Sequence, residues 1–367
     1  MTLQEHALRK AAFLAWDRKT LIDPIVAPIL GSGRYGTVVD CCPGWPGCAA
    51  KVIMAKSWRA RREAYREHVV GLLQSLLLLE RVTPHFPWHY AAELTTTAPP
   101  DLQLSVVLFM ERYPSSLLQG AQEFLSKPDT WATLLFQLSH AATALAVIFG
   151  VVQNDTYPRN ALVRPLTSSR IVYDVDGCRY SVRADFLAVL TDYGISSGDL
   201  VAAPVVPEVA FGKASDSRLT ANPVPAIRGQ FAFLRPTAHV LAYRDLPVYA
   251  RDISMLFKWP MLVDSAPKAP LSVHLWSLAA LHRLDRAAAS LDTSAGLLKV
   301  FHEVFAPAFL KLYQLRSVTE APIRATADYV LRPDARSFLL DRANQALIQA
   351  REDEASWAAA VEVGEAA

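Results

Sequence analysis

The chain has 367 residues, enough for one large domain or for two lobes that share a cleft. With 52% apolar and 20% charged residues it can bury a sizeable core, which excludes a largely disordered polymer. Lys and Arg total 37 against 35 Asp and Glu, so the net charge of +2 supplies no polyanion-binding field, and nucleic acid is not indicated as a partner.

Leu3, Ala7, Ala11 and Leu14 share one face of a helical pattern that Asp23-Pro24 ends, so residues 1–24 read as an N-terminal helical extension. Glu5 and Asp17 interrupt its apolar content, and it does not read as a secretory signal. From Ile25 to Met54 the chain turns to Val and Ile with glycine punctuation, which predicts a strand hairpin and a third strand from Ala49 to Met54. Cys41, Cys42 and Cys48 crowd around Pro43, Gly44, Pro46 and Gly47 without the paired spacing of a zinc site, so they read as a turn with reduced thiols. Ser57 to Glu80 predicts a long helix, charged early and apolar late. Strands are expected at His89 to Leu94 and Leu102 to Met110.

Beyond Pro114 the pattern is mostly helical, interrupted by a strand block from Ile171 to Thr191 in which Tyr173, Val175, Tyr180 and Val182 alternate with polar positions. Thr133 to Val152 approaches membrane-span length, but Gln137, Ser139 and His140 interrupt it and favour a buried helix, so no membrane span is expected. Residues 200–250 are proline-rich without a period and predict a long ordered loop; the last dozen residues predict a frayed end.

Four places carry chemistry. Gly31-Ser32-Gly33-Arg34-Tyr35-Gly36-Thr37-Val38 lies between strands, where a glycine-rich loop can drape its backbone over nucleotide phosphates; a plain hairpin turn explains it equally. Lys51, alone in an apolar strand, needs an anion, and Glu67, or Glu63 one turn earlier, can provide it, although a strand-edge lysine reaching solvent along its stem fits the same pattern. Asp155 can orient the proton of an attacking hydroxyl and Asn160 can offer a neutral oxygen to Mg²⁺, although the same residues suit an Asx-rich turn. Asp192, after Leu187-Ala188-Val189-Leu190-Thr191 and before Tyr193-Gly194, is a natural second Mg²⁺ ligand.

In this order the pieces resemble the eukaryotic protein-kinase superfamily: glycine-rich loop, strand lysine, helix glutamate, catalytic-loop Asp and Asn, and a DYG variant of the DFG motif. The resemblance covers about residues 25–260. It implies an α+β, bilobal protein-kinase-like fold, with a small mainly β N-lobe at 25–112, a larger mainly α C-lobe at 113–350 and a flexible tail at 351–367. It implies ATP and Mg²⁺ as cofactors, Asp155, Lys51 and Glu67 as the catalytic set, and Asn160 and Asp192 on the metal. Gly31, Ser32, Gly33, Gly36, Val38, Ala49, Met110, Glu111, Tyr113 and Leu162 would surround the nucleotide, with Met110 as gatekeeper and adenine bonded to backbone between Glu111 and Tyr113. Asp252 looks like the buried aspartate that braces the catalytic loop.

Within the superfamily the chain is similar to haspin-like kinases and the protein kinases of large nucleocytoplasmic DNA viruses. The likeness rests on Gln153-Asn154-Asp155, on the hairpin between Asn160 and Asp192, on the lack of an APE motif after Gly194, and on Thr83-Pro84-His85-Phe86-Pro87. It implies an intracellular Ser/Thr kinase with a protein substrate, carried in a virion if viral. Departures stand beside it. Gln153 and Asn154 replace the usual His and Arg, so no cation there captures a phosphorylated activation loop. Tyr157 replaces the lysine that steadies the γ-phosphate, leaving Arg159 as a substitute donor, and Gly71 stands where a bulky residue usually supports the Glu67 helix. A pseudokinase scaffold or a small-molecule phosphotransferase on the same fold are the alternatives.

Overall fold

The structure, a computed structural model, describes residues 27–32, 36–41, 45, 47–54, 57–96, 104–117, 119, 127–198, 200, 248–262, 271–287, 294–305, 316–322 and 324–365. The helix expected over 3–18, Gly33, Cys42 and the loop expected within 201–247 lie outside these residues. The fold is mixed α+β.

The first sheet is antiparallel and contains β1 (Ile29–Ser32), β2 (Gly36–Asp40), β3 (Cys48–Met54), β4 (His89–Thr96) and β5 (Leu104–Glu111), in the order β1-β2-β3-β5-β4. Alternation along β3 places Cys48, Ala50 and Val52 in one cluster with Trp88, Tyr90, Val107 and Phe109. The other face carries Ala49, Lys51 and Ile53, and Ile53 packs with Val106, Leu108 and Ala64 of the following helix. That helix, α1 (Trp58–Leu79), starts where the Ser57 hydroxyl accepts from the Ala60 amide at 3.2 Å, and gives out where Arg81 turns to φ 54°.

A second helix, α2 (Pro128–Phe149), begins with Pro128 and ends at Gly150 in the left-handed region, both matched to their positions. Among the described residues it is the one helix long and apolar enough to cross a bilayer, and every residue from Trp131 to Phe149 is buried in the protein core. Two of its polar interruptions find partners there. The Gln137 amide donates to Phe186 O and accepts from Ala188 N, His140 Nδ1 meets the Thr83 hydroxyl at 3.0 Å, and Thr133 donates to Arg183 O.

After α2 come β7 (Val151–Val152), a 3-10 turn (Pro158–Asn160), β8 (Ala161–Val175), β9 (Cys178–Leu190) and β10 (Ser197–Gly198). β8 and β9 form the long hairpin expected between Asn160 and Asp192, turning at Asp176-Gly177, both at positive φ. β9 pairs with β11 (Val318–Glu320), β8 pairs parallel with β12 (Tyr329–Leu331), and β6 (Ser115–Ser116) pairs with β8 beside Leu162. Helices α3 (Val248–Leu262), α4 (Leu271–Ala287) and α5 (Ser294–Phe305) complete a continuous apolar core with α2, the later half of α1 and the β8–β9 hairpin.

Two expectations are corrected. The chain end is not a flexible tail over 351–365: α6 (Ala335–Glu365) runs through it, and Trp357 is buried against Ile53, Ala64, Val106 and Leu108. The sequence signal was weak because the exposed positions of α6 outnumber the single stripe of Leu339, Ala343, Leu347, Ala350 and Trp357 that anchors it. Nor does Gly71 leave a gap beside α1, because the His89 ring fills the space. A Cβ on Gly71 would lie 2.7 Å from His89 Cγ, closer than real contacts allow. Gly71→Ala should therefore cost about 1–3 kcal/mol by overpacking. A urea-denaturation double-mutant cycle with His89→Ala should return a coupling energy of that size; strict additivity would overturn the assignment.

Candidate functional site

The face of β3 that carries Lys51 meets α1 and the end of β9. Lys51 Nζ donates to both Glu67 oxygens, at 2.8 and 2.7 Å, and to Asp192 Oδ1 at 2.9 Å. Glu63, the other candidate for this role, is instead engaged by Arg59 at 3.0 Å. Burial alone would lower the Lys51 pKa, but Asp192 and Glu67 together reverse that and hold it above the ordinary lysine value. The two carboxylates share one ammonium unequally. Burial, with Asp192 nearby, pushes Glu67 up to about 7 despite the opposing pull of Lys51. Burial also pushes Asp192 up, but Lys51 outweighs it and the net shift is downward.

Asp192 sits at φ 65°, a left-handed conformation that aspartate tolerates better than most residues. Tyr193 behind it is buried edge-on to Phe86, and Gly194 O accepts from Arg66 of α1 at 3.0 Å, so the segment is tied to the helix that carries Glu67. Thr191 N donates to Asn160 O at 2.9 Å, which brings the end of β9 against the loop that holds Asp155.

That loop is built from its own side chains. Asn160 Nδ2 donates to Asp155 O and to Asp155 Oδ2, at 2.8 and 2.9 Å. Both amide hydrogens are spent on Asp155, so the Asn160 side-chain oxygen is left as the acceptor; it and the Asp192 carboxylate are the oxygen donors here that could serve a hard cation such as Mg²⁺. Among the described residues no three His, Cys, Asp or Glu side chains cluster as a self-sufficient metal site. Any cation held here would draw its remaining ligands from water or a bound phosphate.

Arg159 Nη2 lies 3.1 and 3.0 Å from the two Asp155 oxygens, and its guanidinium stacks 4.8 Å over the Tyr157 ring. Burial raises the Asp155 pKa while Arg159 opposes the rise, and Asp192 is close enough to add to it. The Gln153 amide donates to Thr191 O and Asp192 O, so a glutamine fastens the loop to the Asp192 segment without an imidazole. Asn154, at φ 66°, donates to Ile195 O and Ser197 Oγ and pins β10 beside β7. Below the loop, the Thr156 hydroxyl is hydrogen-bonded to the buried Asp252 carboxylate, and Trp259 Nε1 donates to Thr156 O at 3.1 Å.

The remaining sequence-derived positions frame the same region. Gly31 and Ser32 lie on β1 and Gly36 on β2, where a side chain at Gly36 would strike Val52 O; Gly33 lies outside the described residues. Val38 pairs in register with Lys51, and Ala49 with Met110. Glu111 and Tyr113 bracket the passage from the first sheet to β6. Their side chains are committed elsewhere: Glu111 to Arg164 of β8 at 2.6 Å, and Tyr113 to a cluster with Leu162, Leu187 and Val189 under the same arginine. The Glu111 amide is also given to Trp88 O and the Arg112 amide to Gly47 O, at 2.8 and 2.9 Å, so a ligand here could meet only the remaining backbone groups. Arg164 was not foreseen, because nothing in the local sequence pairs it with a residue so far along the chain.

Neither protein-family models nor curated proteins give a match to the chain.

The unequal sharing of Lys51 has a pH signature. Glu67 keeps its proton in the folded chain up to about 7, against 4.5 as its ordinary value, so across that interval this group binds more of a proton folded than unfolded and its own contribution to stability falls as pH rises. Buried His68, His85 and His140, held below the ordinary histidine value, tilt stability the other way over the same interval, so the test is a difference: the pH slopes of urea unfolding in the wild type and in Glu67→Gln should diverge by at most about 3 kcal/mol between those pH values, with the variant rising more steeply. An equal slope in the variant would remove Glu67 as a source of the pH dependence.

Proposed function

We propose that the chain is an ATP- and Mg²⁺-dependent protein kinase of the eukaryotic protein-kinase superfamily, bilobal, transferring the γ-phosphate of ATP to a Ser or Thr hydroxyl of a protein. The observation that carries this reading is the single connected constellation of Lys51, Glu67, Asp192, Asn160 and Asp155, drawn from β3, α1 and the ends of two other segments. An Asx-rich turn and a solvent-reaching lysine would not need to meet. The likeness to haspin-like and viral kinases is supported by the long β8–β9 hairpin and by the buried Thr83-Pro84-His85-Phe86-Pro87 segment.

Bound Mg²⁺-ATP would supply the phosphoryl group and the cationic charge that neutralises it in transfer. Asn160 and Asp192 would hold the metal. Lys51, kept protonated and aimed by Glu67, would position phosphate oxygens. Asp155 would accept a hydrogen bond from the acceptor hydroxyl and take its proton as the oxygen attacks the γ-phosphorus and the bond to the departing diphosphate breaks. Its raised pKa suits that role. Arg159, at hydrogen-bond distance from Asp155 and half exposed, would turn to the transferring phosphoryl group and supply the cation that Tyr157 does not. Catalysis of this kind is positioning and electrostatics rather than covalent chemistry with the protein.

Purified protein with labelled Mg²⁺-ATP should transfer label to itself or to a mixed protein substrate. Asp155→Asn should lower that transfer by about 10²-fold or more while nucleotide still binds. Undiminished transfer by the variant would overturn the assignment of Asp155. Nucleotide binding without transfer in the wild type would favour a scaffold. Arg159→Ala should lower turnover more than nucleotide affinity; an affinity loss alone would place Arg159 outside the transfer step.

A further inference from the structure

The C-terminal helix α6 does more than close the core. Its first half is anchored through Leu339, Ala343, Leu347 and Ala350 in the main apolar cluster. Arg342 pairs with Glu80, the residue that caps the end of α1. About three turns further, Asp353 Oδ2 lies 3.4 Å from His68 Nε2, whose other ring nitrogen is 2.8 Å from His89 Nε2. His68 directly follows Glu67. Trp357 then meets the His68 ring at a tilt, centroids 5.9 Å apart, and enters the cluster of Ile53, Ala64, Val106 and Leu108, between the first sheet and α1. α6 thus grips α1 at its far end, at its middle and beside the residue that meets Lys51.

We infer that α6 is a strap that sets the position of α1 along the first sheet, with Trp357 as the positioning residue for the Lys51–Glu67 pair. The physical reason is that α1 has two partners it must satisfy together. Lys51–Glu67 is a bond of fixed length, so a small slide or roll of α1 breaks it; the indole wedge removes that freedom by filling the space into which Ala64 would move. His89, seated on Gly71 and joined to His68, continues the grip along the same face of the helix, one to two turns on from Ala64, and keeps it in register with β4. The catalytic consequence of the strap rests on the proposed role of Lys51 and Glu67 in nucleotide binding; its mechanical consequence for α1 does not.

The test uses the full chain, with Trp357→Ala, Trp357→Phe and Asp353→Asn beside Ile348→Ala, an exposed position on the same helix. Amide hydrogen exchange should rise about tenfold or more over residues 64–70 in Trp357→Ala, with residues 133–147 of α2 protected as in the wild type. Trp357→Phe should restore most of the protection, Asp353→Asn should show a smaller rise, and Ile348→Ala should show none. Mg²⁺-ATP affinity should fall in step with the loss of protection. Unchanged exchange at 64–70 in Trp357→Ala, or an equal rise in α2, would overturn the strap. If Trp357→Ala does not fold, Asp353→Asn and Trp357→Phe decide by the same comparison. Failure of the wild type to bind Mg²⁺-ATP would remove the nucleotide reading, and exchange alone would then decide the strap.

Discussion

A lysine ammonium inside an apolar strand must be neutralised, and the site follows from how this one is. Lys51 sits half-buried on the face of β3 that packs toward α1, where water reaches it poorly and its donors turn to carboxylates. It draws Glu67 from α1 and Asp192 from the end of β9, and so converts a local electrostatic need into a contact between three elements distant in sequence. Leaving any one charge behind would strand the others in a poorly solvated place. The relative placement of the first sheet, its helix and the β8–β9 hairpin is therefore fixed at this point to within the length of a hydrogen bond.

The surrounding polar network does for the loops what the core does for the helices. Gln153, Asn154, Thr156 and Asn160 each spend their side chains on backbone or on one another, leaving little conformational freedom around Asp155. A second polar rivet lies behind them. Leu190 N donates to His85 O, while the His85 ring bridges Tyr173 and Ala188 O, and burial holds its pKa down at about 3, so it is a neutral strut. The segment from Thr83 to Pro87 thereby couples the end of α1 to both strands of the hairpin and to α2 through His140.

At three positions where the sequence departs from the motif it resembles, other atoms occupy the space or make the contact. A glutamine amide reaches the same strand-end carbonyls that a histidine ring could reach, because all that is required there is a donor at the right distance. A glycine on α1 is matched by a histidine from β4, so the volume is conserved while its source changes. An arginine beside Asp155 places a cation near the position where a lysine is absent. Residue-by-residue comparison with a motif undervalues such exchanges, since a motif records residue types and not the space or the donors they supply.

Local chemistry determined much of what the sequence showed. The β-rich start, the long helix from Ser57, the buried α2, the β8–β9 hairpin and the candidate residues Lys51, Glu67, Asp155, Asn160 and Asp192 were all legible, because periodicity, caps and isolated charges in apolar runs are written in adjacent residues. Only the tertiary structure decided which of Glu63 and Glu67 meets Lys51, that His89 fills the space over Gly71, that Arg164 holds Glu111, and that α6 is a packed strap rather than a loose end. These depend on pairs separated by tens to hundreds of positions, and a side chain's sequence neighbours carry no record of the distant volume or charge it will meet.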